Sequence, residues 1–275
     1  MKDYHVHSGF LDHTKDDLDT IVSTASSLGF SEIAVTEHLI WPLAEMPKPI
    51  TEIDRDTLFP DHIPIPQDGR KSVSLSHYFS EIQRVKIKYG IKVLAGLEID
   101  YFSQYEHQIR RCVEYHNVEF KLCGCHYVEC PDLPNEEKFL HIGFRLNYFL
   151  NRYDEDLLYK NYFDNILNAV NSNIFEYIAH IDYLKKKFNA YQIKKSYPYI
   201  KKIFQAMIEK GVGLEVNIKG IKDVGEPYPT LELVNLYKDL GGNKICVGSD
   251  SHSISRLCKS IPLIQNYMEL LKIDE

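Results

Sequence analysis

Seven short, β-rich apolar runs recur along the chain, separated by longer segments of helical spacing. The runs span residues 3–7, 32–38, 92–100, 120–128, 175–182, 212–217 and 244–250. Strands that alternate with helices in this way form a parallel sheet with helical crossovers. A run as continuously apolar as KICVG suits a strand buried on both faces. Between the first two runs, Leu18, Ile21, Val22, Ala25 and Leu28 share one helical stripe, which Gly29 ends. Residues 75–89, 104–116, 197–210, 230–240 and 256–272 predict helices on the same ground, and residues 137–171 a longer helical insertion. By periodicity alone, a closed barrel and an open doubly wound sheet satisfy the pattern equally.

With 275 residues, of which 44% are hydrophobic and 26% charged, the chain can bury a sizeable core as one domain over residues 1–275. Its formal net charge of -7 makes it a poor general binder of nucleic acid, which needs Lys and Arg to displace counterions. A small anionic substrate remains open to it, because a local site can override the net sign. No stretch approaches the roughly 20 apolar residues of a membrane span. The opening MKDYHVHSGF lacks the apolar centre of a signal peptide, so the expected compartment is the cytoplasm. The six cysteines then read as reduced residues, Cys123 and Cys125 among them as structural. A homo-oligomer is compatible with this composition.

Two segments break the rhythm. The Pro-rich residues 41–74 follow the second run, and the insertion, about residues 134–172, follows the fourth. Both extend the C-terminal side of a strand, where α/β proteins build their sites, and both are expected to wall a pocket.

The polar residues fall where such a site would be. The first run ends on His5 and His7, the second on His38, and the third on Glu98. The fourth ends near His126, the fifth near His180, and the last on Asp250 and His252. Side chains at i and i+2 of a strand share a face, so His5 and His7 point the same way. Asp250 and His252 do so too if extended geometry persists that far, as do Glu215 and Asn217. His13, beyond the first turn, would serve a neighbouring ion. Any one of these histidines alone suits a hydrogen-bonded core position. Burying all of them without metal would leave many polar groups to satisfy, at several kcal/mol for each unpaired charge. Mixed imidazole and carboxylate donors suit Zn, Mn or Fe.

The remaining histidines carry less. His107 and His116 are expected to be solvated on helices, His62 lies in the Pro-rich loop, and His77 and His141 are weak substrate-contact candidates. Glu37 alternates away from His38 and suits a structural role. Lys185, Lys186 and Lys187 predict a solvated face or a helix start, and Trp41 either lines the pocket or packs.

Together these residues resemble the PHP (polymerase and histidinol phosphatase) superfamily, and within it the histidinol-phosphate phosphatase branch. The resemblance runs from HVH at 5–7 and His13, through TEH at 36–38, GLEIDY at 96–101, CHYV at 125–128 and AHIDYLKK at 179–186, to GSDSH at 248–252. LEVNIKGIK at 214–222, with YP at 228–229, is similar to a segment of that branch. It implies a distorted (β/α)7 TIM-like barrel with three divalent metal ions at the C-terminal ends of the strands. By position, one ion takes His5, His7, Glu98 and Asp250. A second shares Glu98 and takes His126 and His180, and a third takes His13, His38 and His252. Where the branch is expected to carry an arginine after the NxxGx stretch, the chain has Lys222, which lacks the bidentate fork. Arg145 and Arg152 are alternative phosphate clamps, and Asn217 is a further substrate contact.

The implied reaction is hydrolysis of L-histidinol phosphate in histidine biosynthesis, with a metal-bridging hydroxide as nucleophile. Metal coordination lowers the pKa of water from 15.7 to about 7. Glu98, Asp250 and His252 are the candidate catalytic residues, the last two for the leaving group's proton. Asp54 or Asp61 could meet the substrate ammonium. Alternatives are a PHP phosphoesterase for a nucleotide, a phosphotyrosine peptide or DNA, an amidohydrolase-type metal hydrolase, and a non-catalytic metal-binding module. The acidic balance disfavours DNA. The early third histidine and the SDSH ending fit PHP better than an amidohydrolase, and the complete ligand set speaks against a module without activity.

Overall fold

The computed structural model describes residues 1–10, 16–40, 75–133 and 138–273. His13, Trp41, Asp54, Asp61, His62 and the rest of the Pro-rich segment lie outside them. In chain order the elements are β1 (Lys2–Val6), α1 (Leu18–Ser27), β2 (Glu32–Ile40), α2 (Leu75–Tyr89), β3 (Lys92–Asp100) and α3 (Glu106–Tyr115). Next come β4 (Phe120–Gly124), β5 (Tyr127–Glu129), β6 (Phe139–His141), α4 (Ile142–Leu150), α5 (Glu155–Asn171) and β7 (Tyr177–Ile178). The last are α6 (Ile193–Lys210), β8 (Gly213–Asn217), α7 (Lys219–Val224), α8 (Leu231–Asp239), β9 (Ile245–Gly248) and α9 (Ile254–Leu271).

The main sheet follows the chain in the order β1-β2-β3-β4-β7-β8-β9. Val6 also makes a parallel bridge with Ser251, so the segment after β9 returns to β1. Parallel strands in chain order, joined by helices and brought back to the first, are the arrangement of a distorted (β/α)7 TIM-like barrel. Among the described residues no helix is long and apolar enough to cross a membrane.

Two compact units divide the chain. The first comprises Met1–Ile99, His107–Lys121 and Val247–Glu275. Here β1 pairs in parallel with β2. Asp17 caps α1, its carboxylate accepting the Thr20 N–H at 2.8 Å. The Tyr78 hydroxyl of α2 donates to the carbonyls of Val35 and Gly96 at 2.9 and 3.0 Å, pinning the helix to β2 and β3. Gly96 is required for that approach, since a Cβ would stand 2.8 Å from the Val35 carbonyl oxygen. Ile21, Val22, Ile33, Val35, Ile82 and Leu97 fill the core.

The second unit comprises Asp100–Glu106 and Leu122–Cys246. β4 pairs in parallel with β7, and β7 with β8. Asp154 caps α5 by accepting from Leu157 N at 2.8 Å, and Gly211 ends α6 in the left-handed region at φ 68°. Tyr159, Tyr162, Phe163, Ile200 and Phe204 form its core.

Four differences from the sequence reading matter. The run 120–128 is two strands, because the chain turns at Cys125 and His126 before β5 pairs antiparallel with β6. The run 175–182 keeps only Tyr177–Ile178 as strand, and His180, at φ 27°, leaves extended backbone. The insertion is a short strand and two helices rather than helix alone. Lys185 is not solvated: it lies in a 3-10 turn over Tyr183–Lys186, with 6% of its side chain exposed.

Candidate metal centre

In the first unit, three strand ends and one turn bring six candidate ligands together. Alternation along β1 puts His5 and His7 on one face, with their Nε2 atoms 3.0 Å apart. Glu98 presents Oε2 to His5 Nε2 at 3.2 Å, His7 Nε2 at 3.5 Å and His38 Nδ1 at 2.9 Å. Asp250 Oδ1 lies 3.6 Å from His7 Nε2 and 3.2 Å from His252 Nδ1. The His252 ring stacks on that of His7 with centroids 4.0 Å apart. His5, His7, Glu98 and Asp250 are buried.

Asp250 and His252 do not reach this cluster by strand alternation. β9 ends at Gly248, and Asp250 sits in the left-handed region at φ 50°. A turn delivers both, and backbone bonds fix it. His7 N–H donates to the Ser251 carbonyl at 2.9 Å. The N–H groups of Ser249 and His5 both donate to Asp3 Oδ1, at 2.9 and 3.2 Å. Burial raises the Asp3 carboxyl to about 6, against the lowering pull of the Ser249 hydrogen bonds. Glu37 has the structural part that its face suggests, accepting from Ser8 N at 2.7 Å and Ser8 Oγ at 2.5 Å.

The donor atoms fit a divalent cation. His5, His7 and Asp250 place one ligand atom each within 4.8 Å of one another, as do His7, His38 and His252. So many nitrogen and oxygen donors facing one another out of water need a positive charge among them. The resemblance assigns His38 and Glu98 to different ions, yet here they are close neighbours.

In the second unit, His126 is buried against Asp100. Its Nδ1 lies 3.2 Å from both Asp100 oxygens, and its N–H donates to Oδ1 at 3.1 Å. A carboxylate at Nδ1 fixes the tautomer and leaves Nε2 as the ligand atom. Sequence reasoning missed Asp100. Its signal was present in GLEIDY, where it shares a strand face with Glu98. His180 lies beside His126 with ring centroids 4.8 Å apart, and the Tyr183 ring meets His126 edge-on at 4.9 Å.

His180 N–H donates to Glu215 Oε2 at 3.0 Å. Asn217 Nδ2 donates to that carboxylate at 3.3 Å, and Asn217 Oδ1 accepts from Lys219 N at 3.1 Å. The Asn217 side chain thus serves this turn. Beyond His180, buried Asp182 pairs with Lys185 at 2.9 Å, and Lys185 also donates to the Pro227 carbonyl at 2.8 Å. Burial raises Asp182 to about 6, although Lys185 pulls it down.

The other substrate candidates are on the surface of the second unit. Lys222 is exposed on α7 and Arg145 on α4. Arg152, just past α4, lays its guanidinium over the Tyr148 ring at 4.0 Å. His141 caps α4, its Nδ1 accepting from Gly143 N at 2.9 Å, and its ring lies parallel to His126 at 5.8 Å. In the first unit His77 is exposed beside Phe10, and His107 is exposed on α3. His116 is half-buried and stacks on Phe79 at 5.2 Å rather than standing in solvent.

Fold and site define an α/β protein that gathers metal donors at the ends of its strands. The chain belongs to the PHP domain family, whose model matches residues 3–219. It is 24% identical over 265 residues to the "Probable histidinol-phosphatase" of Thermotoga maritima, covering 95% of this chain and 88% of that protein. It is 25% identical over 265 residues to the histidinol-phosphatase of Lactococcus lactis subsp. lactis, covering 92% and 85%. Among solved structures, the histidinol phosphate phosphatase of Lactococcus lactis, complexed with zinc, L-histidinol and phosphate, shares the fold. That likeness has a TM-score of 0.70 at 20% identity, over 96% of this chain and 92% of the other.

Proposed function

We propose that this chain is a metal-dependent phosphoric monoester hydrolase that converts L-histidinol phosphate to L-histidinol and phosphate, a step of histidine biosynthesis. The observation that carries the reading is the convergence of His5, His7 and His38 on Glu98 Oε2. The names of the relatives supply the substrate. The Lactococcus lactis complex holds both products of that reaction.

His5, His7, Glu98 and Asp250 would hold one ion, His38 and His252 another, with His13 from beyond the described residues. His126 and His180 would serve a third. Zn, Mn and Fe all suit this donor set. When bound, such ions supply positive charge for phosphate oxygens and bring water into its hydroxide form near neutral pH. The chain's own residues do the positioning. Asp100 holds His126 through Nδ1, and Glu98 orients three imidazoles through one oxygen. Asp250 and His252, in contact at 3.2 Å, are assigned the proton for the leaving alkoxide. Lys222, Arg145 and Arg152 are the proposed phosphate contacts, and Asn217, whose amide meets Glu215, is a further proposed substrate contact. The six free cysteines suit the reducing cytoplasm.

The test is metal analysis of the purified protein together with phosphate release from histidinol phosphate. Bound divalent metal and metal-dependent turnover are expected. A higher kcat/KM on a nucleoside monophosphate or a phosphotyrosine peptide would replace the substrate. Absence of hydrolysis with Zn, Mn and Fe alike would remove the enzyme reading.

A further inference from the structure

β7 and β8 pair in parallel at Tyr177 with Gly213 and at Ile178 with Leu214, and β7 ends at Ile178. The next residue of β8 is Glu215, which is fully buried. Where the strand ends, this side chain takes over from the backbone ladder. Glu215 Oε2 accepts the His180 N–H at 3.0 Å. His180 needs such a hold. It is not glycine, yet it stands in the left-handed region at φ 27°. Residues in sparsely populated backbone regions persist only when their surroundings over-determine them.

The bonds around His180 form a frame. The Ala179 N–H donates to the Cys123 carbonyl of β4 at 2.9 Å, and the His180 carbonyl accepts from Tyr183 N at 2.7 Å. On the far side, Asn217 Nδ2 donates to Glu215 Oε2 at 3.3 Å, and Asn217 exchanges two backbone bonds with Tyr228, at 2.7 and 3.0 Å. The carboxylate is thereby steadied from behind. The ring of His180 lies 4.8 Å from that of His126. The same device recurs at other ligand candidates. Buried Asp100 accepts the His126 N–H, and buried Asp3 accepts the His5 N–H. In all three cases a carboxylate holds the main chain of a proposed imidazole ligand.

We propose that Glu215 is a positioning residue, whose carboxylate sets the His180 backbone so that its imidazole serves the ion shared with His126. This rests on the reading of His126 and His180 as ligands of one ion. Without the bond, the turn relaxes toward ordinary backbone and carries the ring with it. What counts is the reach of the accepting oxygen and not the charge behind it. A ligand or a counter-charge needs the negative charge, whereas a positioning group needs one oxygen within hydrogen-bond distance of one N–H. The two roles rank substitutions in opposite order. Glu215→Gln keeps the oxygen in place and drops the charge. Glu215→Asp keeps the charge and withdraws the oxygen by one methylene.

The experiment is zinc titration of the metal-free full chain against a competing chelator, for the wild type, His180→Ala, Glu215→Gln, Glu215→Asp and Glu215→Ala. The binding step that His180→Ala weakens is the step of the His180 ion. Glu215→Ala should weaken that same step about 10- to 100-fold, the worth of a partner outside a metal's ligands, Glu215→Asp about tenfold, and Glu215→Gln less than about threefold. The remaining steps should keep wild-type affinity. A group that only supports the fold would lower every step together or none, and would move the urea midpoint instead. If Glu215→Ala does not fold, the Gln and Asp variants decide alone. The reverse order, with Asp near wild type and Gln weak, overturns the proposal in favour of a role for the charge. A loss spread evenly over all steps overturns it too. An unchanged isotherm in His180→Ala overturns the ligand reading beneath the proposal, and is told apart because it involves no Glu215 variant.

Discussion

His38 Nδ1 stands 2.9 Å from Glu98 Oε2, and the same oxygen faces His5 and His7. One carboxylate oxygen therefore organises imidazoles from two other strands. Glu98→Ala should remove bound metal and lower kcat/KM together, by at least about a hundredfold, since even partners outside a metal's ligands are worth 10–100-fold. Glu98→Gln keeps the shape without the charge and should also fail. Metal content by mass spectrometry, read beside turnover, is the check. Wild-type turnover in a variant that has lost its metal would refute the mechanism.

Asp100 should matter nearly as much without being a ligand. It receives both the Nδ1 and the N–H of His126, so its loss frees the ring to rotate and change tautomer. Asp100→Ala should weaken zinc binding about 10- to 100-fold in a titration against a competing chelator. Asp100→Asn should fall between, because an amide can still accept one of these bonds. A zinc isotherm identical to wild type would reduce Asp100 to a packing residue.

The strand ends were legible in the sequence because burial forces alternation. HVH can only present both imidazoles to one side of β1, and nothing but a shared ligand or a costly polar core explains it. The β3 run 92–100 and the α2 segment 75–89 coincide with the elements formed. What escaped were turns. Asp250 and His252 meet His7 through a left-handed residue, which no period-two pattern encodes. His180 likewise leaves its strand at φ 27°. Lys185 looked like one of three surface lysines because its partners, Asp182 and Pro227, come from sequence-local and sequence-distant turns at once. Periodicity reports faces of regular elements and is silent on side chains that bridge loops.

That bridge makes its own prediction. Lys185→Met leaves Asp182 buried without its cation, which typically costs about 3–5 kcal/mol. Urea unfolding should show the midpoint drop with the slope unchanged. The double variant Asp182→Asn, Lys185→Met removes both charges and should recover most of the loss. If the single variant unfolds as wild type does, the pair contributes nothing net.

Buried thiols should begin the alkaline loss of stability, before the buried tyrosines, also raised by burial from 10.0, add to it. Burial pushes Cys112 and Cys130 up to about 12 from an ordinary 9.0. Between those values the unfolded chain has released thiol protons that the folded chain still holds. Fewer protons on the unfolded state means that stability falls as pH rises across this window, while below 9 these groups contribute no slope. By a pH of about 10.5 each thiol should cost roughly 2 kcal/mol, at 1.36 kcal/mol per pH unit. Replacing both by Ala should flatten the decline in urea midpoints between pH 9 and about 10.5, after allowance for the cavity each leaves. The same burial predicts that a maleimide at neutral pH reacts rapidly with Cys258, the exposed thiol, and slowly with the five buried ones. A rapid native stoichiometry of two or more, with Cys112 or Cys130 among the labelled thiols, would mean that this cysteine is open to water, and its share of the alkaline slope would be lost.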